Sequence, residues 1–399
     1  MRILQLANKM PYPPKDGGSI ATFSLTCAFR DLGHEVTLLA MNTSKHYFPP
    51  EKIPAETIKG IRVLTEYLDT RIRPADLVLN FLFKKFPYNA QRFVSRKYEE
   101  KLTGLLKKET FDIIQLEGLY LAPYIPAIRK YSEAPVAMRA HNVEHEIWER
   151  TVKQQSGLKT LYFKDLAKRI KRMELQYLNE PDVVVPITER DARRFKELGC
   201  KLPMKVIPTG IDSSKLVPVL EKVEFPSVFH IGALDWLPNQ EGLLWFLRNV
   251  WPEVYKQNPG TSFYIAGRNA PQFISQIDQP GVVFLGEVEN AYSFMNEKAI
   301  MVVPLLSGSG MRIKIIEGMA LGKAIISTSI GAEGIPVTSG ENIIIANEED
   351  QFVAELNALL KEERQCVEMG KKAVSFIKKN FDNLAIASSL LKFYQDKTG

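Results

Sequence analysis

The chain has 399 residues, 45% of them hydrophobic and 25% charged. At roughly 150 residues per domain this length asks for two or three domains, and the composition is that of a folded globular protein rather than a disordered chain. The net charge of +6 is too mild for a histone-like protein, and the three isolated cysteines, Cys27, Cys200 and Cys366, exclude a disulfide scaffold or zinc knuckle and fit a reducing compartment.

No apolar run approaches the ~18 residues of a membrane span. Met1-Arg2 leads straight into residues 3–7, which read as a first strand rather than a signal-peptide core. Gly17-Gly18 reads as a loop, residues 20–32 as a helix stopped by Gly33, and residues 35–40 as the next strand. Further strands are expected at 112–116, 136–139, 183–187 and 205–207. Residues 208–212, Pro-Thr-Gly-Ile-Asp, have the composition of a linker. The pattern then restarts, with strands at 228–231, 263–266, 282–285, 299–304 and 324–327, and helices at 242–250 and 313–321. Residues 383–394 have helical spacing. This order predicts an α/β protein of two doubly wound parallel sheets. Such sheets bind ligands at the carboxyl ends of their strands, so two of them are expected to face each other across a cleft.

The charge is uneven. Residues 84–108 carry eight basic and two acidic residues, and residues 150–173 carry eight basic and one acidic, a joint +13 against −7 for the remainder. Each run is either a solvated helical face or an electrostatic footprint for an anionic membrane or a phosphorylated substrate. No nucleic-acid recognition motif accompanies the charge.

Residues 304–317, PLLSGSGMRIKIIE, carry the strongest local signal. A strand enters a loop with Gly308, Ser309 and Gly310, and a helix starts there. Glycines admit close backbone approach, and free N–H groups at a helix start attract anions. Arg312 and Lys314 oppose the helix dipole at that end, which makes sense where a diphosphate sits. Glu317, one turn on, is placed to accept from a ribose or sugar hydroxyl, or to pair with Lys314. Gly17-Gly18 lies between a strand and a helix, where a sheet presents a ligand, although the pair is not the dinucleotide fingerprint. His141 and His145 have the i, i+4 spacing of a metal pair, but Asn142 stands where the zinc protease pattern needs Glu, so no metal is expected. His141 at a strand end reads as an active-site polar group or as a helix cap. Glu117 occupies a similar strand end.

Almost the whole chain resembles the GT-B glycosyltransferases of family 4. The resemblance is carried by HIGALDW at 230–236 with Pro238 and Asn239, IAGR at 265–268, residues 304–317, IST at 326–328 and GAEG at 331–334. In the first half it is carried by Gly17-Gly18, His141 and IPTGID at 207–212. It implies two facing Rossmann-like domains: an acceptor-binding domain at 1–205, with 383–399 crossing back as a last helix, and a donor-binding domain at 206–382. The implied activity is retaining transfer from a nucleotide-diphosphate sugar to a hydroxyl of a glycan or lipid-linked acceptor, in cell-surface polysaccharide or glycoconjugate synthesis. No metal or other cofactor is implied. With the reducing compartment, the expected setting is cytoplasmic, and the two basic runs are expected to hold the chain at the inner face of the membrane or to bind a phosphate-bearing acceptor. By the same resemblance Glu317 binds the donor ribose, Gly308, Ser309 and Gly310 lie near the donor sugar, Gly232 and Glu333 belong to the donor pocket, Gly18 approaches the diphosphate or an acceptor group, and His141 lies near the reacting centre.

The chain departs from the family pattern twice. Ser309 stands where the first acid of Glu-x7-Glu is usual, and the loop after Gly232 lacks the usual Arg and Lys. Arg312 and Lys314 are therefore expected to supply the missing positive charge. A sugar-nucleotide epimerase and a non-catalytic sugar-nucleotide sensor are the alternatives.

Overall fold

The computed structural model describes residues 1–83, 86–153, 157–219, 221, 223–308 and 311–398. The chain divides into two compact units, one formed by Met1–Gly210 with Asn383–Gly399 and the other by Ile211–Asp382.

The strands of the first unit are β1 (Arg2–Ala7), β2 (Glu35–Thr43), β3 (Ile61–Leu68), β4 (Ile113–Glu117), β5 (Val136–Ala140) and β6 (Val183–Pro186). They form one parallel sheet in the order β3-β2-β1-β4-β5-β6. Strands covered on both faces read as near-continuous apolar runs, as β4 and β5 do. On one face Ile114, Leu116 and Met138 pack with Tyr98 and Leu102 of the helix Arg96–Leu106. On the other, Ile3, Ile113 and Ala137 pack with Phe29 of the helix Gly17–Asp31 and Leu390 of the helix Asn383–Thr398. The last helix thus belongs to the first unit. The order reverses at β1, between β2 and β4, and a doubly wound sheet presents its ligand crevice at such a point.

The second unit repeats the plan with β7 (Glu224–Ile231), β8 (Ser262–Ala266), β9 (Val282–Gly286), β10 (Lys298–Val303), β11 (Ala324–Ser327) and β12 (Ile344–Ile345). All pairs are parallel, in the order β12-β11-β10-β7-β8-β9. The reversal lies at β7, so the loops after β7 and β10 start side by side.

Four local expectations are corrected. Gly17-Gly18 is the first turn of a helix rather than a loop, because the Asp16 carboxylate accepts the Ser19 N–H at 2.9 Å and starts the helix at Gly17. Residues 205–207 form no strand. Pro203 and Pro208 bracket them, and only an isolated bridge from Met204 to Val184 survives. The helix expected at 242–250 starts earlier, at Leu237, and changes to a wide π-type turn at Phe246–Val250 before Trp251–Gln257, where Pro252 removes a donor from the ladder. The strands β3 and β12 were not expected. No helix of the described residues is long and apolar enough to cross a membrane.

Candidate active site

In the first unit, alternation along β4 puts Gln115 and Glu117 on one face, level with Gln5 of β1 and Arg139 of β5. All four are buried. Glu117 Oε1 accepts from Gln5 Nε2 at 2.7 Å and Gln115 Nε2 at 2.5 Å. Its Oε2 accepts from Thr22 Oγ1 at 3.2 Å and faces Arg139 Nη1 at 3.4 Å and His141 Nε2 at 2.7 Å. Tyr394 of the last helix donates to Gln115 Oε1 at 2.7 Å, and Thr26 donates to Gln5 Oε1 at 2.6 Å. Burial alone would raise the Glu117 carboxyl, but the Arg139 charge and the His141 hydrogen bond more than offset it and hold it down at about 2. Glu117 is therefore a permanent anion that aims the His141 ring.

That ring lines a cavity of about 150 Å³ at the carboxyl ends of β1 and β4, together with Gly18, Lys9, Thr22 and Glu144. Two expected residues, Gly18 and His141, thus meet. Lys9 and Glu144 join them without having been singled out. Lys9 donates to Asp16 at 2.6 Å, beside Gly18. Burial, and then the charge of Glu174, push the Glu144 carboxyl up to about 7, while Tyr120 donates to it at 3.2 Å. His145 is fully buried with its Nδ1 on Glu174. His141 and His145 therefore turn to different carboxylates, and their i, i+4 spacing does not make a metal pair.

In the second unit the loops after β7 and β10 meet as their adjacency requires. Lys314, in the first turn of the helix Ile313–Ala320, reaches back to donate to Ile231 O at 3.1 Å and Asn239 Oδ1 at 2.9 Å. A side chain at Gly232 would put its Cβ 2.8 Å from Asn239 Nδ2 and 3.1 Å from Lys314 Nζ, so the absence of one lets the lysine in. Burial, and then the Arg312 charge, push the Lys314 ammonium down to about 7. Arg312 is buried with its guanidinium 5.0 Å from the centre of the Trp236 ring. Gly308 lies against it with φ of +125°, where a Cβ would come 2.4 Å from Arg312 Nη2. Ser309 and Gly310 lie outside the described residues. Among the described residues the helix start carries no side-chain cap and no acidic residue in its first turn; the Ile315 N–H donates to Arg312 O at 2.9 Å, and the N–H groups of Ile313 and Lys314 stand at the end where an anion is favoured.

Glu317 does not take Lys314 as its hydrogen-bond partner; it accepts from Tyr292 OH at 2.9 Å. Burial pushes its carboxyl up to about 7, against the lowering effect of that hydrogen bond. Glu333 sits half-buried in the turn after β11, the strand beside β10. His230, buried on β7, turns Nδ1 to Val302 O at 3.1 Å and is held neutral by burial and the nearby Lys314 charge.

Residues 15–215 match the family described as Glycosyltransferase Family 4, which is half of the chain, and residues 225–362 match Glycosyl transferases group 1. The chain belongs to glycosyltransferase family 4. A family relative from Klebsiella pneumoniae, described as an uncharacterized 44.6 kDa protein in the cps region, is 23% identical over 98% of this chain and 99% of its own. Two solved structures share the fold of this glycosyltransferase. Anabaena Alr3699/HepE in complex with UDP superimposes with a TM-score of 0.72 at 14% identity, over 99% of this chain and 100% of that one. The sucrose-phosphate synthase of Thermosynechococcus elongatus does so with a TM-score of 0.70 at 16% identity, over 99% of both. The fold is GT-B, with two Rossmann-like domains.

Proposed function

We propose that this glycosyltransferase is a retaining enzyme that moves a sugar from a nucleoside diphosphate donor to a hydroxyl of a glycan or lipid-linked acceptor, in cell-surface polysaccharide synthesis. We place it on the cytoplasmic face of a membrane, with residues 84–108 and 150–173 toward anionic lipid. The arrangement of Arg312, Lys314 and the helix start beside Gly232 carries the reading: two cations and the positive end of a helix converge where β7 and β10 end. The second unit, Ile211–Asp382, holds the donor. The first unit, Met1–Gly210 with Asn383–Gly399, holds the acceptor in the cavity lined by His141 and Gly18. The cps-region relative supports the polysaccharide role. The Anabaena protein was solved with UDP and with UDP-glucose, which makes uridine diphosphate sugars the first donors to test.

The chemistry then follows. The bond from the anomeric carbon to the diphosphate oxygen breaks while the acceptor oxygen bonds to the same face of that carbon. The acceptor proton passes to the departing diphosphate, so no protein nucleophile and no metal is required. Arg312 forks onto the diphosphate, Lys314 adds a point charge, and Gly308 with Ser309 and Gly310 lets the sugar approach the backbone. Glu317 takes the ribose hydroxyls, Gly232 and Glu333 shape the donor pocket, and His141 orients the acceptor side. Acceptor-dependent release of nucleoside diphosphate tests the reading. Turnover of donor without acceptor would make the chain an epimerase, and binding without turnover a sensor.

Donor affinity is expected to be bell-shaped with pH. Glu317 binds hydroxyls best as a carboxylate, so protons compete with donor below about pH 7. Lys314 binds diphosphate best as an ammonium, so affinity falls again above about pH 7. The diphosphate diester of a nucleotide sugar does not titrate in this range. Affinity two pH units to either side is expected to be at least roughly tenfold weaker than at the maximum. Calorimetric titration of UDP-glucose, or of the donor a thermal-shift panel selects, should find the acid limb flattened in Glu317→Gln and the alkaline limb flattened in Lys314→Met. An unchanged bell in both variants would exclude these roles.

A further inference from the structure

One carboxyl of the first unit sits where the fold works against its charge. Glu144 opens the helix Glu144–Lys153 and is half-buried at the wall of the cavity that also holds His141. Behind it, in the helix Leu158–Tyr177, Glu174 is almost fully buried. Both oxygens of Glu174 are engaged: Oε1 accepts the Glu144 N–H at 2.8 Å, and Oε2 faces His145 Nδ1. Glu144 thus has a like charge beside it. Burial and that charge together push its carboxyl up to about 7. Tyr120 donates to Glu144 Oε2 at 3.2 Å, and among the described residues nothing donates to Oε1. A glutamine would have the same shape, could keep the Tyr120 hydrogen bond and would remove the repulsion. The carboxyl therefore lowers stability while no internal partner needs its second oxygen, and such a group at a cavity wall points to a ligand.

The rest of the lining says which kind. Lys9 is the one lysine or arginine among the described lining residues, and its ammonium already lies 2.6 Å from Asp16 Oδ1. Glu117, also on the wall, is held as an anion. A phosphate entering here would face two carboxylates and a lysine whose charge Asp16 balances. An uncharged sugar meets no such repulsion. One hydroxyl can donate to Glu144 and another can accept from Lys9, which has three donors and spends one on Asp16. Pro11 and Leu119 offer apolar wall to the C–H face of a ring. Gly18 keeps the approach to Lys9 open, since a Cβ there would lie 3.4 Å from Nζ.

We propose that Glu144 binds the hydroxyls of the acceptor, and that the group it takes is an uncharged pyranose rather than a phosphate. This deepens the acceptor reading above and rests on it. Any phosphate of a lipid-linked acceptor then lies outside this cavity, and a sugar enters it.

Saturation-transfer NMR of the full chain at pH 8, where Glu144 is ionised, tests it. The probes are the methyl glycosides of glucose, galactose, mannose and N-acetylglucosamine, and the 6-phosphates of the three hexosides. Only binding that His141→Ala abolishes is counted as binding in the cavity. At least one glycoside is expected to bind there, and its 6-phosphate at least about tenfold more weakly. Glu144→Gln is expected to lower the affinity for that glycoside roughly ten- to a hundredfold, the loss on removing a charged hydrogen-bond partner. Its thermal midpoint should stay at or above the wild type, because the repulsion from Glu174 goes with the charge. Glu144→Asp keeps the charge and should retain part of the affinity. A 6-phosphate that binds the cavity more tightly than its parent leaves the acceptor site standing and overturns the uncharged class. Wild-type glycoside affinity in Glu144→Gln, with loss in His141→Ala, keeps the cavity and overturns the role of Glu144. Glycosides that bind nowhere, or equally well in both variants, overturn the acceptor reading of the cavity together with this inference.

Discussion

Arg312→Ala is expected to lower turnover a hundred- to a thousandfold, the range seen when one preorganised donor is removed from a developing oxyanion. When the anomeric bond breaks, negative charge grows on the leaving diphosphate. Arg312 is buried against Trp236, and its guanidinium is held by ring and loop before any ligand arrives. Little reorganisation is then needed at the moment of reaction. A mobile lysine on the surface would contribute much less. Arg312→Lys keeps the charge and loses the planar fork, so its turnover should fall between the wild type and the alanine variant. The measurement is acceptor-dependent release of nucleoside diphosphate at saturating donor. A thermal midpoint on each variant separates loss of chemistry from loss of fold. Wild-type turnover in a folded Arg312→Ala enzyme would remove Arg312 from the donor site and leave the diphosphate to Lys314 and the helix start.

The parts of this site that were legible in the sequence are those set by local chemistry. Parallel strands covered on both faces appear as apolar runs, so β1, β4 and β10 could be placed from sequence. The loop of Gly308 and the cations after it were visible because glycines and basic residues at a helix start conflict with ordinary helix preferences. Other features depend on tertiary contacts. β3 is an edge strand with only partial burial, and its alternation is too weak to separate it from loop. Residues 205–207 look like a buried strand until the flanking prolines are weighed. Glu144 and Lys9 are ordinary polar residues in sequence, and only the folding of their segments against Glu117 and Gly18 brings them to the cavity. The helix Pro74–Phe83 went unread for the opposite reason. Its apolar spacing is strong, and nothing in the sequence says that Val78, Leu79, Leu82 and Phe83 point outward.

Glu117→Gln is expected to be among the most destabilising single substitutions in the first unit. The change is nearly isosteric but removes the charge that faces Arg139 across 3.4 Å, with both side chains almost fully buried. A buried cation left without its counter-charge costs about 3–5 kcal/mol. For a first unit that unfolds by itself this corresponds to a fall in its thermal midpoint of roughly 6–10 °C. The pH dependence gives an independent reading. The folded carboxyl titrates at about 2 against an ordinary 4.5. A depressed carboxyl contributes stability that is complete above its unfolded value and is lost as pH falls through its folded one. About 3 kcal/mol should therefore disappear between pH 5 and pH 2 in the wild type and be missing already at pH 7 in Glu117→Gln. The double variant Glu117→Gln/Arg139→Met removes the orphaned cation together with its partner. It should recover much of the lost stability, because a matched buried pair contributes far less than either member costs when left alone. It should not recover turnover, since His141 still lacks the carboxylate 2.7 Å from its Nε2 that orients the ring. Denaturant unfolding of the two single variants and the double, run beside the turnover assay, separates the two roles. Additive losses of stability would mean that Glu117 and Arg139 are not coupled. Wild-type turnover in the double variant would mean that His141 does not depend on Glu117.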